Sequence, residues 1–267
     1  MFDRQSIHIA LLLWGCIFSL IAALCMFMSR NFDKDKRRWM LWMQVCCATL
    51  MLSDAMAWLF RGAAGMTGYW MVRISNFCVF ALSDILLLLF HRYVCCYLFE
   101  NDRQKKKNWR VIIVYFVGGL ALLLVILSQF THLYYYFDVE NYYHRNPAYF
   151  VSLILPMIGM LLDMSLLIEY RKNINRDIFI SMISYIALPL LAAVIMLFYY
   201  GISLINLAIS ISMILMFVVA MVEQNRNLAS KEKEAADLRI SMMLSQIAPH
   251  FIYNTLTAIR RMCVKDP

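Results

Sequence analysis

Seven apolar runs, separated by short polar stretches, occupy the first 223 residues of the chain. They cover approximately 6–28, 39–60, 70–94, 110–130, 148–169, 178–200 and 203–223. A helix needs about 20 apolar residues to cross the hydrocarbon core of a bilayer, and each run meets that length. The last two are parted only by a tight turn around Gly201. The first, from Ile7 to Met28, is too long for the apolar core of a signal peptide, and no small-residue cleavage pattern precedes the basic run after it, so it reads as a span. The pattern predicts an all-α fold: a seven-helix transmembrane bundle over 1–223, followed by a cytoplasmic signalling helix. That tail divides into a linker or coiled-coil helix at 224–243 and a distinct segment at 244–267.

Composition agrees with this. The chain is 63% hydrophobic and 16% charged, whereas a water-soluble domain is roughly half apolar and a quarter charged. The excess cannot be hidden in one soluble core, so the lipid bilayer is the first expected partner. The net charge of +8 is topological. Arg30, Lys34, Lys36, Arg37 and Arg38 follow the first run. Arg92, Arg103, Lys105, Lys106, Lys107 and Arg110 lie at and beyond the end of the third, and Arg171, Lys172 and Arg176 follow the fifth. The alternate loops hold only Arg61, Arg73 and Arg145, which makes fourteen against three. The positive-inside rule then places the N-terminus outside and the C-terminus in the cytoplasm. Basic residues that sit mostly in short inter-span runs do not form a nucleic-acid surface, so no nucleic-acid partner is expected. Trp39, Trp42, Trp109, Tyr69, Trp70, Tyr199 and Tyr200 mark span edges as interfacial anchors. The longest outer loop, Thr131 to Pro147, carries Tyr134, Tyr135, Tyr136, Phe137, Tyr142 and Tyr143, which serve either as anchors or as part of a ligand-facing surface.

Ionisable residues within spans are costly and face protein or water rather than lipid. Asp54, Asp84 and Asp163 lie in spans two, three and five; Arg61, Arg73 and Asn76 lie near the outer ends of spans two and three. Asp54 and Arg73 are placed to pair near the outer surface. Two readings stand for Asp54, Arg73, Asp84 and Asp163: polar glue between helices, or an intramembrane sensing pocket for a small ligand or peptide formed by spans two, three and five. Pro156 and Pro189 interrupt spans five and six, where each removes a helical hydrogen bond. Seven of the eight cysteines, Cys16, Cys25, Cys46, Cys47, Cys78, Cys95 and Cys96, lie in or beside apolar runs, with no CxxC and no pair of loop cysteines to bridge. They read as small packing residues, and no metal site is expected. Span seven has no Lys for a retinal Schiff base, and no repeated half suggests a transporter.

From Glu223 the composition changes to polar, Ala- and Glu-rich sequence without Gly or Pro as far as Ile247. This predicts a helix leaving span seven, with a weak heptad (Leu228, Ala235, Leu238, Met242) suited to a short parallel coiled coil in a homodimer. Helical projection of 250–263 gathers Phe251, Ile252, Thr255, Leu256, Ala258, Ile259, Met262 and Cys263 on one arc, apolar apart from Thr255. His250, Asn254, Thr257 and Arg261 line the other face. His250 is therefore expected on the solvent side of an amphipathic helix, after a bend at Pro249.

Gln246, Ile247, Pro249, His250, Phe251, Tyr253, Asn254 and Leu256 together carry the wording of a known motif. The segment resembles the phosphoacceptor region of LytS-type bacterial sensor histidine kinases, in which Gln-Ile-x-Pro-His-Phe-Leu-Tyr-Asn-x-Leu holds the phosphorylated histidine. The resemblance covers 244–262, with Ile252 in place of the frequent Leu and Ala248 where a polar residue is common. It implies a protein-histidine kinase of the bacterial plasma membrane in a two-component phosphorelay. His250 would take the γ-phosphate of ATP and pass it to an Asp of a cytoplasmic response regulator, with Asn254 positioned to hold a water or the phosphoryl group. A neutral imidazole is a competent nucleophile near neutral pH. Phe251 stands where many histidine kinases carry an acid, so no general base is named.

ATP and Mg are expected only for the full-length kinase. No GxG occurs, and neither an ATP-binding domain nor the second helix of a dimerisation hairpin is found in these 267 residues. The chain by itself is expected to hold no cofactor and to be inactive as a kinase. The alternative is a non-enzymatic membrane receptor or transporter-like protein with a vestigial kinase tail. Short outer loops leave no room for a folded extracellular domain, so sensing belongs to the bundle or its outer rim.

Overall fold

The computed structural model describes residues 4–29, 32–99, 108–198 and 203–265, and the side chains of these except 197–198, 246–250 and 264–265. The turn expected at Gly201 lies outside the described residues. Seven α-helices account for most of the chain: α1 (Arg4–Met28), α2 (Lys34–Leu59), α3 (Gly65–Leu98), α4 (Trp109–Thr131), α5 (Val151–Glu169), α6 (Arg176–Phe198) and α7 (Leu204–Lys265). All seven are long and apolar enough to cross a membrane. The chain is a multi-pass, all-α membrane protein. By contact it divides into two compact units, Met1–Met221 and Val222–Pro267.

Helix boundaries depart from the apolar runs where polar capping overrides hydropathy. α2 begins five residues before the expected span because the Asp33 carboxylate accepts from the backbone N–H of Asp35 (3.1 Å) and Lys36 (3.0 Å). An Asp at this position satisfies donors that the first turn leaves open. The basic run Lys34–Arg38 is thus helical. Asn108 caps α4 in the same way through Arg110 N–H (3.1 Å). α3 has 34 residues, about 51 Å of helix, more than a bilayer core of about 30 Å requires. It extends beyond the apolar run at both ends.

In the first unit α1 packs on α2, α2 on α3, α3 on α4 and α5, α4 on α5, and α5 on α6. The core joins Leu12, Met26, Met43, Leu50, Met51, Phe90, Tyr93, Leu166, Tyr185 and Met213, all essentially without solvent contact. The Phe90 and Tyr185 rings stack at 4.2 Å. Small residues allow close approach: a Cβ on Gly118 would lie 2.4 Å from Leu88, and one on Gly15 2.8 Å from the Ser210 hydroxyl. Outward faces are apolar as well. Trp14, Phe18, Ile21, Ile112, Phe116 and Phe130 are exposed, which suits lipid and not water. The eight cysteines are all free.

Between α4 and α5 the chain forms a small antiparallel hairpin, β1 (Tyr135–Phe137) with β2 (Tyr143–Arg145), in register Tyr136↔His144. A 3-10 turn, Pro147–Phe150, leads from it into α5. Asn141, at φ 62, fixes the hairpin to the α2–α3 turn. Its amide donates to Ala63 O (3.0 Å) and accepts from Arg73 Nη1 (2.9 Å), while its carbonyl accepts from Gly62 N–H (3.3 Å). Asn tolerates this left-handed conformation better than most residues. Gly62 itself sits at φ +73, and a Cβ there would lie 2.7 Å from the Tyr142 ring.

The second unit is helical from Val222 to Lys265 as part of α7, its helical assignment unbroken through Pro249. The arc expected to pack is solvent-exposed in the single chain, including Phe251, Ile252, Leu256, Ile259 and Met262. Asn254 is also exposed. The side chain of His250 lies outside the described residues.

The hairpin turn rests on Asp138, whose carboxylate accepts from Glu140 N–H (3.0 Å) and Tyr142 N–H (2.8 Å) and faces His144 Nε2 (2.8 Å). These contacts, with His144 the largest, hold the Asp138 carboxyl below its usual pKa. A depressed carboxylate contributes stability that is complete above the unfolded value of about 3.9 and is lost as pH falls through the folded value. Protection factors of the 135–145 amides, corrected for the intrinsic pH dependence of exchange, should therefore be flat from neutrality to about pH 5 and fall below about pH 4. In Asp138→Asn exchange should already be faster at neutral pH and lose this acid step.

Candidate functional site

Polar residues of the first unit converge in three places, which differ in how fully their groups are satisfied. The first joins α1, α2 and α7. Asp54, 4% exposed, accepts from Asn206 Nδ2 at 2.7 Å and from the Ser203 hydroxyl at 3.3 Å. Ser203 N–H in turn points at His8 Nε2 (3.4 Å), and the His8 ring meets Trp58 edge-on at 5.0 Å. Gln5 donates to Trp58 O at 2.8 Å. Asp54 and Arg73 do not pair: Arg73 lies over the Tyr69 ring (3.6 Å) and binds Asn141 and Tyr69 O, joining α3 to the hairpin. The reason is reach. Asp54 is drawn to the Asn206 amide on α7, across 152 residues of sequence, and to the Ser203 hydroxyl just before that helix.

The second place is a fully buried pair. His91 Nδ1 lies 2.6 Å from Asp163 Oδ1, both side chains having no exposure. His91 Nε2 faces Cys95 Sγ at 3.6 Å, and the ring packs edge-on against Tyr115 at 4.8 Å. Asp163 Oδ2 has no partner among the described residues. This arrangement has the order of a thiol–imidazole–carboxylate relay but no access, so it acts as interhelical bonding between α3 and α5.

The third place is a cavity of about 250 Å³ among α2, α3, α5, α6, the first turns of α7, and the hairpin. Its polar lining includes Asp54, Asp84, Arg61, Arg145, Asn76 and Asn206; its apolar walls come from Leu153, Met157, Met160, Leu190, Ile205 and Ile209. Pro156 and Pro189 both border it. Each proline leaves the carbonyl four residues earlier, Ser152 and Tyr185, without its helical donor. Asp84 is 5% exposed and forms no hydrogen bond or ion pair among the described residues. Burial, together with the nearby Asp84 carboxylate, pushes the Tyr134 hydroxyl up to about 12. That hydroxyl is itself buried and without a partner among the described residues.

At the hairpin end the guanidiniums are held by rings. Arg61 lies 5.4 Å from the Trp58 ring and 5.6 Å from Tyr142, and Arg145 lies 4.2 Å from Tyr149. Tyr149 meets Phe80 at 6.2 Å, and Phe80 is one helical turn from Asp84.

Of the residues singled out in sequence, Asp54 and Asp84 line this cavity, whereas Arg73 and Asp163 do not. His250 and Asn254 belong to the other unit. Sequence reasoning passed over His8, His91, Asn206 and Arg145. His91 and Cys95, one turn apart in an apolar span, were the available signal for a partner of Asp163. No cluster of metal-ligating residues occurs among the described residues. No family model, curated protein or solved structure matches the chain.

Removing one partner of a buried pair strands the other. His91→Leu or Asp163→Leu alone should lower unfolding stability in lipid bicelles by about 3–5 kcal/mol, and the double replacement should recover most of that loss. Additive losses would show that the two groups do not act as a pair.

Proposed function

We propose that this chain is the membrane-sensing portion of a LytS-type sensor histidine kinase, a multi-pass protein of the bacterial plasma membrane. One observation carries the reading: the Pro249-His250-Phe251-x-Tyr253-Asn254 wording falls on α7, the helix whose first turns line the cavity. The hairpin end faces outside and the basic linkers face the cytoplasm, in accord with the positive-inside rule. The cavity is the sensing site. Its occupancy changes the packing of α7 against α2 and α3 and thereby the state of the phosphoacceptor segment.

In this reading His250 accepts the phosphoryl group and a response regulator receives it. Asn254, one turn on, orients the phosphoryl group or a water. The exposed arc of Phe251, Ile252, Leu256, Ile259 and Met262 is covered by the same arc of a second copy, since apolar surface of this extent favours burial in an interface. Residues 1–267 contain no GxG lid element for ATP, so no nucleotide site is assigned within them.

A receptor without kinase chemistry is the second reading, favoured by the cavity alone, which needs no phosphate acceptor. Phosphorylation separates the two. Full-length protein in nanodiscs with radiolabelled ATP should gain acid-labile, base-stable phosphate that His250→Gln abolishes. Asn254→Ala should keep the phosphate but alter its lifetime by about ten-fold. Label retained in His250→Gln would remove His250 from the role, and no label in the native full-length protein would favour the receptor.

A further inference from the structure

The charges around the cavity restrict what can occupy it. Asp84 is buried, faces the cavity and lacks a donor among the described residues, and a carboxylate in that position calls for a cation or strong hydrogen-bond donor from a ligand. Asp54 does not compete, because Asn206 and Ser203 already donate to it. At the hairpin end the environment has the opposite sign. The Arg61 guanidinium lies within cation–π range of the Trp58 and Tyr142 rings and pairs with no carboxylate among the described residues. Rings at this distance do not neutralise a guanidinium, which keeps N–H groups for an acid. Arg145, stacked on Tyr149, adds a second positive group to the same lining.

Size supplies the next restriction. A space of about 250 Å³ lies just below the roughly 300–1,000 Å³ of pockets that take drug-sized ligands. It suits a ligand smaller than most drug-like molecules. Most of the remaining lining is apolar, with Leu153, Met157, Met160, Leu190, Ile205 and Ile209 beside aromatic rings, so the body of the ligand is apolar.

We propose that the cavity binds a small zwitterion with an apolar body, its amine against Asp84 and its acid group toward Arg61 and Arg145. The proposal rests on the cavity being the sensing site. A monopolar amine leaves the Arg61 guanidinium without an acid, and a monopolar acid leaves Asp84 without a donor among the described residues; each meets half of the site's demand. A bare metal ion fits less well, because a lone carboxylate offers too few ligands and no metal-binding cluster occurs among the described residues.

The test is calorimetric titration of the full chain in lipid nanodiscs with three probes of matched length: aminocaproate, hexylamine and caproate. Aminocaproate should bind about ten-fold more tightly than either monopolar analogue. Asp84→Asn should reduce aminocaproate to the affinity of caproate and leave caproate unchanged. Arg61→Gln should reduce aminocaproate toward hexylamine and leave hexylamine unchanged. Arg61 is exposed, so this second variant reads the site even if Asp84→Asn unfolds, which size-exclusion chromatography would reveal. Equal affinity for the three probes, no binding of any, or insensitivity of aminocaproate to Arg61→Gln would overturn the proposal. Phosphate on His250 is measured without ligand, so failure here leaves the kinase assignment standing, and loss of that assignment leaves the binding result intact.

Discussion

The Asp54 carboxylate, held by Asn206 and Ser203, is the contact that closes the first unit. It brings together residues 152 positions apart and fixes the beginning of α7 against α2. In hydrocarbon there is no water to substitute for a lost donor, so such a carboxylate has to be satisfied by protein. The neighbouring contacts repeat this logic. His8 faces Ser203 from α1, and Gln44, farther along α2, donates to Met213 O on α7 at 3.2 Å. Ridge-and-groove packing alone leaves helices in lipid without strong preference for one register, and these polar bonds supply it.

Against that background Asp84 stands apart. Asp54 has donors and Asp163 has His91, but Asp84 faces the cavity with neither among the described residues. The two intrahelical prolines border the same cavity, so the irregular backbone of α5 and α6 lies where polar groups are available rather than toward lipid. Paired carboxylates hold the helices, and the unpaired one is left for chemistry from outside the chain. The cavity also touches Asn206, so an occupant would lie beside the bond that closes α7 on α2.

Much of this was legible in the sequence, for physical reasons. Spans are set by bilayer thickness and betray themselves by length, and Asp54, Asp84 and Asp163 are conspicuous because charge in hydrocarbon is rare. Asp54 and Asp84 both line the cavity, whereas Asp163, the residue offered from span five, is buried against His91; the participation of α6 and α7 was not legible, because Pro189 and Asn206 announce no partner. The Asp54–Arg73 pairing fails because opposite charge is a weaker guide than reach. Arg73 is consumed by Asn141 and two aromatic rings, in a hairpin whose run of tyrosines reads as interfacial anchoring until its register is known. Helix starts at Asp33 and Asn108 reflect capping, which hydropathy does not register. His250 is legible by wording alone.

The most direct test of the account is whether the Asp54–Asn206 bond holds the first unit together. A double-mutant cycle with Asp54→Leu and Asn206→Leu, read as unfolding free energy in lipid bicelles, measures that coupling. A hydrogen bond to a buried carboxylate predicts a coupling of about 1–3 kcal/mol. A value near zero, with the two losses simply adding, would contradict it.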